Sequence, residues 1–153
     1  MALLAIQNIV EAALKQQLSQ FLTGVAVLVS DQDAVKVPMP YLVIHVDEYT
    51  EEIVPGCGIF KLSATLMLRS HVTEQAVGDR DGWVSLINQF MHQKNAANPA
   101  SPRLQAAVAL STFPNLYVHG FVPTSGSMKV NADLKAYEYE VRCDLYCKPS
   151  SGN

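Results

Sequence analysis

"GIFKLSATLMLRSH", residues Gly58 to His71, changes sides at almost every step. Phe60, Leu62, Ala64, Leu66 and Leu68 share one parity, and Lys61, Ser63, Thr65, Met67 and Arg69 share the other. A period of two puts successive side chains on opposite faces of a strand, so the stretch predicts a strand with one buried face and one wetter face. It is longer than the usual strand of about five or six residues, which predicts a strand that projects beyond a minimal sheet or continues into a neighbour.

A second alternating segment closes the chain. In "LKAYEYEVRCDLYC", Leu134 to Cys147, the residues Tyr137, Tyr139, Val141, Cys143 and Leu145 oppose Glu138, Glu140, Arg142 and Asp144. "YLVIHVDEY", Tyr41 to Tyr49, sends Leu42, Ile44 and Val46 one way and Val43 and His45 the other. Both faces of that strand are therefore expected to be at least partly covered. Two shorter β-rich pieces, Val25 to Val29 and "LYVHGFVP" from Leu116 to Pro123, add to the sheet.

The other period in the chain is helical. Leu3, Ile6, Ile9, Val10, Ala13, Leu14, Leu18 and Phe21 recur at three- and four-residue steps and predict an amphipathic helix lying across a sheet, ended by Gly24. Gln7, Glu11, Lys15, Gln16 and Ser19 fall largely outside its apolar stripe. Asp79 or Asp81 is the expected cap of a second helix carrying Trp83, Leu86, Ile87, Phe90 and Met91. "RLQAAVAL", Arg103 to Leu110, predicts a further short helical piece before Pro114.

The element order gives an α+β fold: a mostly antiparallel sheet of four to five strands, with an N-terminal helix and one or two further helices packed on it. One domain is expected over 1–148, with 149–153 as a flexible C-terminal tail. Two segments read as adaptable loops. One is the acidic stretch holding Glu48, Glu51 and Glu52, followed by Pro55, Gly56 and Gly58. The other is "TSGSMKVNAD", Thr124 to Asp133, which contains Ser125 and Lys129. These five residues, Glu48, Glu51, Glu52, Ser125 and Lys129, are the candidate assembly contacts.

Composition excludes several classes of function. Eleven Lys and Arg stand against 14 Asp and Glu among 153 residues, without basic clustering, so nucleic-acid binding through a concentrated positive surface is disfavoured. The first 21 residues lack a basic leader, and their apolar run is broken by Gln7, Glu11 and Lys15, which argues against a signal peptide or membrane span. Charged residues make up only 16% of the chain, below the usual ~25%, which is consistent with surface buried in an oligomer.

Catalytic signatures are missing as well. Cys57, Cys143 and Cys147 lack a Cys-x-x-Cys spacing, and the last two, in one strand, would stand about 13 Å apart, too far for a disulfide. Free thiols are expected. "PGCG", Pro55 to Gly58, has neither the phosphate-cradling nor the dinucleotide glycine pattern, and the acidic stretch does not match a calcium loop. Ser125 and Ser127 lack a nucleophile-elbow context. A hydrolase built on Cys57 or a serine with His45, His71, His92 or His119 is the lesser alternative. The expectation is a protein that is not an enzyme and takes no cofactor or metal.

The order from "ALLAIQNIVEAAL" through "MPYLVIHVDEY", "GIFKLSATLMLRS", the Trp83 helix and the terminal strand pair resembles the tail terminator, or tail completion, proteins of long-tailed bacteriophages. The likeness covers nearly the whole domain and lies in arrangement, not in a compact motif. It implies a structural virion protein that self-associates into a ring, commonly hexameric, at the head-proximal end of the tail. That ring caps the tail tube protein, stops elongation and presents a surface to the head–tail connector or head completion protein, with assembly in the host cytoplasm. The alternative in the same setting is a head completion or connector component that binds the portal side.

Overall fold

The computed structural model describes residues 2–29, 37–47 and 51–149, with the side chains of 2–5, 51 and 74–77 excepted. Helix α1 spans Ala2–Phe21 and strand β1 spans Ala26–Leu28. Then follow β2 (Tyr41–Val46), β3 (Glu51–Glu52), β4 (Phe60–His71), α2 (Glu74–His92), α3 (Gln105–Leu110), β5 (Leu116–Asn131) and β6 (Ala136–Pro149). The expected tail lies outside the described residues, apart from Pro149, which ends β6.

The five main strands are ordered β1-β2-β4-β6-β5, and the two-residue β3 pairs with β4 beside β2. All pairings are antiparallel except β1 with β2, which run parallel in the register Ala26↔Tyr41. This is the α+β architecture read from the element order. The length of β4 has a plain cause: it pairs with β6 along all of Phe60–His71, while β3 and then β2 occupy its other flank.

One parity of the sheet meets the helices. Leu62, Ala64, Leu66 and Leu68 of β4 join Leu42, Ile44 and Val46 of β2 and Val141, Cys143 and Leu145 of β6 in one core with Ile6, Val10, Leu14 and Leu18 of α1. Phe90 of α2 holds the layers together, meeting Phe21 of α1 at 5.4 Å and Phe121 of β5 at 6.0 Å, both edge-on. Trp83 is half-buried at the core margin. Among the described residues no helix lies over the face of opposite parity.

Two polar residues of α1 do more than stay wet. Gln7 donates to the carbonyl of Asp47, and Glu11 accepts from the Val46 amide at 3.2 Å, so together they secure the end of β2. Gly24, at φ +78°, takes the left-handed conformation that lets the chain turn from α1 into β1 without strain on a Cβ.

Two expectations are corrected. Helix α2 begins at Glu74, directly after Thr73, so Asp79 and Asp81 are exposed residues within the helix and do not cap it. Its Gly78 and Gly82 are exposed, and a Cβ on either would touch nothing within 4 Å. Each of Gly78→Ala and Gly82→Ala is therefore expected to raise the unfolding free energy by about 0.5–1 kcal/mol in urea titrations, from lowered chain entropy alone. The second correction concerns Thr124 to Asn131, which is not a loop. It is the outer half of β5, closed by a turn over 132–135.

Candidate assembly interface

Among the described residues, strand β5 ends the sheet and pairs only with β6. Two extra residues, His119 and Thr124, interrupt its register with β6 and divide it into a base and a tip. The base is guarded. The Val118 amide donates to Ser111 Oγ at 2.9 Å, and the Val118 carbonyl accepts from Arg103 Nη2 at 2.8 Å and from Ser111 Oγ at 3.4 Å. Among the described residues nothing covers the tip in this way, and Thr124 to Val130 are all exposed, with Met128 at 42% and Val130 at 58%. Unpaired N–H and C=O groups along a long strand edge are a template for another chain.

Lys129 stands within this tip and joins a network on the open sheet face. Glu138 of β6 is 4% exposed and accepts from Arg69 Nε at 2.6 Å and from Asn131 Nδ2 at 3.4 Å, with Lys129 Nζ at 3.8 Å. Arg69 also donates to the Tyr41 hydroxyl at 3.2 Å. Burial pushes the Glu138 carboxyl up, but the hydrogen bonds from Arg69 and Asn131 and the charges of Arg69 and Lys129 outweigh it, holding it below its ordinary value. For Arg69 burial lowers the pKa, and the bonds to Tyr41 and Glu138 reverse this, leaving it raised. Lys129 is 64% exposed, so its own share is small, about 0–1 kcal/mol.

Ser125 lines a cleft of about 250 Å³ between Asn88, Met91 and His92 of α2 and Pro123–Gly126 of β5, floored by Tyr139 and Val141. Tyr139 donates to Asn88 Oδ1 at 2.7 Å across it. Ser125 and His92 share this cleft, but among the described residues no hydrogen bond joins them. Cys57 is exposed in the turn before β4, with its Sγ beside the Ile59 amide and carbonyl. Cys143 and Cys147 are free and buried, and burial pushes both thiols up to about 12. Among the described residues no group of His, Cys, Asp and Glu is gathered as a metal site, and no helix is long and apolar enough to cross a membrane.

Of the acidic candidates, Glu48 lies outside the described residues, and Glu51 opens β3 opposite Lys61. Glu52 organises its own turn, accepting from the Gly56 amide at 2.7 Å and the Gly58 amide at 2.6 Å. Those glycines sit at φ +86° and +77°, which turns their N–H groups inward at no steric cost. Asp47, at the end of β2, is half exposed beside His45 at 3.8 Å. The structure thus places Asp47, Glu51 and Glu52 on the β2–β3 edge and Ser125 and Lys129 on the β5 edge, on opposite flanks of the sheet.

Sequence reasoning missed a third group. Tyr117, Arg103, His119 and Lys148 meet at the base of β5, with the Arg103 guanidinium carbon 4.9 Å, Lys148 Nζ 6.0 Å and the His119 ring 4.6 Å from the Tyr117 ring centre. Arg103 Nε and His119 Nε2 are buried without a hydrogen-bond partner among the described residues. Desolvation, then the charges of Lys148 and Arg103, lower the His119 pKa, so it stays neutral and the corner's charge is that of Arg103 and Lys148. In comparisons with known proteins, no family model and no curated protein matches the chain.

Proposed function

We propose that the protein is a structural subunit that closes into a ring of the tail-terminator kind, capping a tail tube and offering a docking surface for the head. The observation that carries this reading is the open tip of β5, an edge strand exposed on both faces and left without the guard that covers its base. A monomer is better served by blunting such an edge.

The two ends of the sheet suit a head-to-tail contact. Through the strand registers Ala26 shares a cross-strand row with Lys129, and Leu28 shares one with Ser127. The outer strands β1 and β5 also run in opposite directions. One copy's β5 tip can therefore meet the next copy's β1 in antiparallel sense at the same height along the strands. A rotation without translation between neighbours closes a ring and does not build a filament. No bond is broken in this function: the ring covers the growing end of the tube and replaces its docking surface with another.

The test is the absolute mass of the purified protein by light scattering across concentration, repeated with short tail tubes and followed by electron microscopy. A discrete ring, free or seated on one tube end, is the expected result. A monomer that ignores both tube ends overturns the reading, and exclusive binding to the portal side moves the protein to the connector. The double variant Met128→Lys with Val130→Lys is expected to leave the unfolding midpoint nearly unchanged, since both side chains face water. It should weaken association at least tenfold, because lysines on a strand edge oppose pairing.

A further inference from the structure

We propose that the corner formed by Arg103, Tyr117 and Lys148 is a receiving site for the acidic β2–β3 edge of a second copy of this chain. The proposal rests on the ring reading and deepens it by naming the two surfaces that carry complementary charge. Among the described residues, ion pairs engage Lys61, Arg69, Arg80, Lys129 and Arg142, and none engages Arg103 or Lys148. Two cations therefore share one aromatic ring, and no carboxylate among the described residues pairs with either.

The guanidinium is held, not loose. Arg103 Nη2 bonds the Val118 carbonyl and Ser111 Oγ, which fixes its plane at the strand edge, while its buried Nε has no hydrogen-bond partner among the described residues. Lys148 and Tyr117 are opposite one another in the β5–β6 register and both exposed, so a carboxylate can reach them from outside. Arg and Lys over a tyrosine face at an open edge suit an acidic protein segment.

The other flank supplies the acid at the same height. Glu52 shares a cross-strand row with Phe60, Cys147 and Val118, and Glu51 shares one with Lys61, Tyr146 and Gly120. His119 is the bulged residue between those two rows. The acidic residues thus stand at one end of rows whose other end, three inter-strand steps or roughly 14 Å away, is Val118 to Gly120, one residue along from the Tyr117–Lys148 pair. Within one chain the acidic and basic groups cannot meet. Between head-to-tail copies related by a rotation about the strand direction, they face each other.

The experiment is charge reversal read by mass. Lys148→Glu, and separately Asp47→Lys with Glu51→Lys, are each expected to weaken self-association at least tenfold while thermal melting shows an intact fold. An equimolar mixture of the two variants is expected to recover association, because one acid-to-base contact is then restored with its sign inverted, and wild-type association is expected to fall as salt rises. Unchanged association of Lys148→Glu, in a protein whose wild type forms a ring, overturns this site and leaves the ring reading standing. Loss of tube binding by Lys148→Glu with unaltered self-association assigns the corner to the tube and overturns it too. A wild type that remains monomeric with and without tube ends overturns the ring reading itself.

Discussion

Replacing Glu138 with alanine is expected to lower the stability of the fold by about 3 kcal/mol at neutral pH, the range for breaking a buried ion pair on one side. The side chain is 4% exposed in the central part of the sheet, and its loss strands Arg69, itself only 24% exposed, beside Tyr41. Most of the penalty comes from that stranded charge. Adding Arg69→Met to Glu138→Ala should therefore recover part of the loss, a coupling that a double-mutant cycle in denaturant measures directly. The pH dependence follows from the direction of the shift. The folded-state pKa of Glu138 lies below its ordinary value of 4.5, so its contribution is complete above that value and fades as pH falls through the folded pKa. Glu138→Gln should flatten this acid limb, with wild type and variant converging in stability at low pH.

Phe90→Ala is expected to cost about 3–5 kcal/mol, the largest effect of any single truncation considered. Phe90 is 2% exposed and touches Phe21 on one side and Phe121 on the other, so the cavity opens where α1, α2 and β5 meet. Each edge-on ring pair adds about 0.5–1.5 kcal/mol beyond burial, and both pairs vanish together. Set against a total stability of about 5–15 kcal/mol, this should bring the protein close to its unfolding threshold near body temperature. Calorimetry or a thermal melt reads the result. Phe90→Leu, which keeps most of the volume, should recover more than half of that loss.

How far the sequence spoke depended on whether burial stood behind the pattern. Phe60 to Arg69 could be read because every second residue enters the core, and a slip of one position would turn Leu62, Leu66 and Leu68 to water. The same held for Tyr139 to Leu145. Thr124 to Asn131 could not be read, because an edge strand exposed over most of its residues is held chiefly by backbone pairing and needs no alternation. Gly126 and its serines then resemble a loop. The direction of β1 was equally silent, since parallel and antiparallel pairing place Val27 on the same face.

The candidate surfaces divide in the same way. Glu52 was legible as an acid in a turn, yet its role is to bind the Gly56 and Gly58 amides. Glu138 looked like the solvent half of an alternating strand, and only the arrival of Arg69, Lys129 and Asn131 from two other strands buries it. Arg103 and Lys148 are far apart in the chain, and nothing in their local sequence announces that Tyr117 will stand between them.

The Ser111 hydroxyl, bonded to both polar groups of Val118, has a consequence for phase. A chain laid along a uniform strand edge can slide by two residues and find the same hydrogen bonds again. On β5 such a slide toward the base runs first into the extra residue at Thr124, where the spacing of amides breaks, and then into Val118, whose donor and acceptor are already taken. The edge therefore carries its own stop, and a visitor has one resting place along it where a smooth edge would offer several.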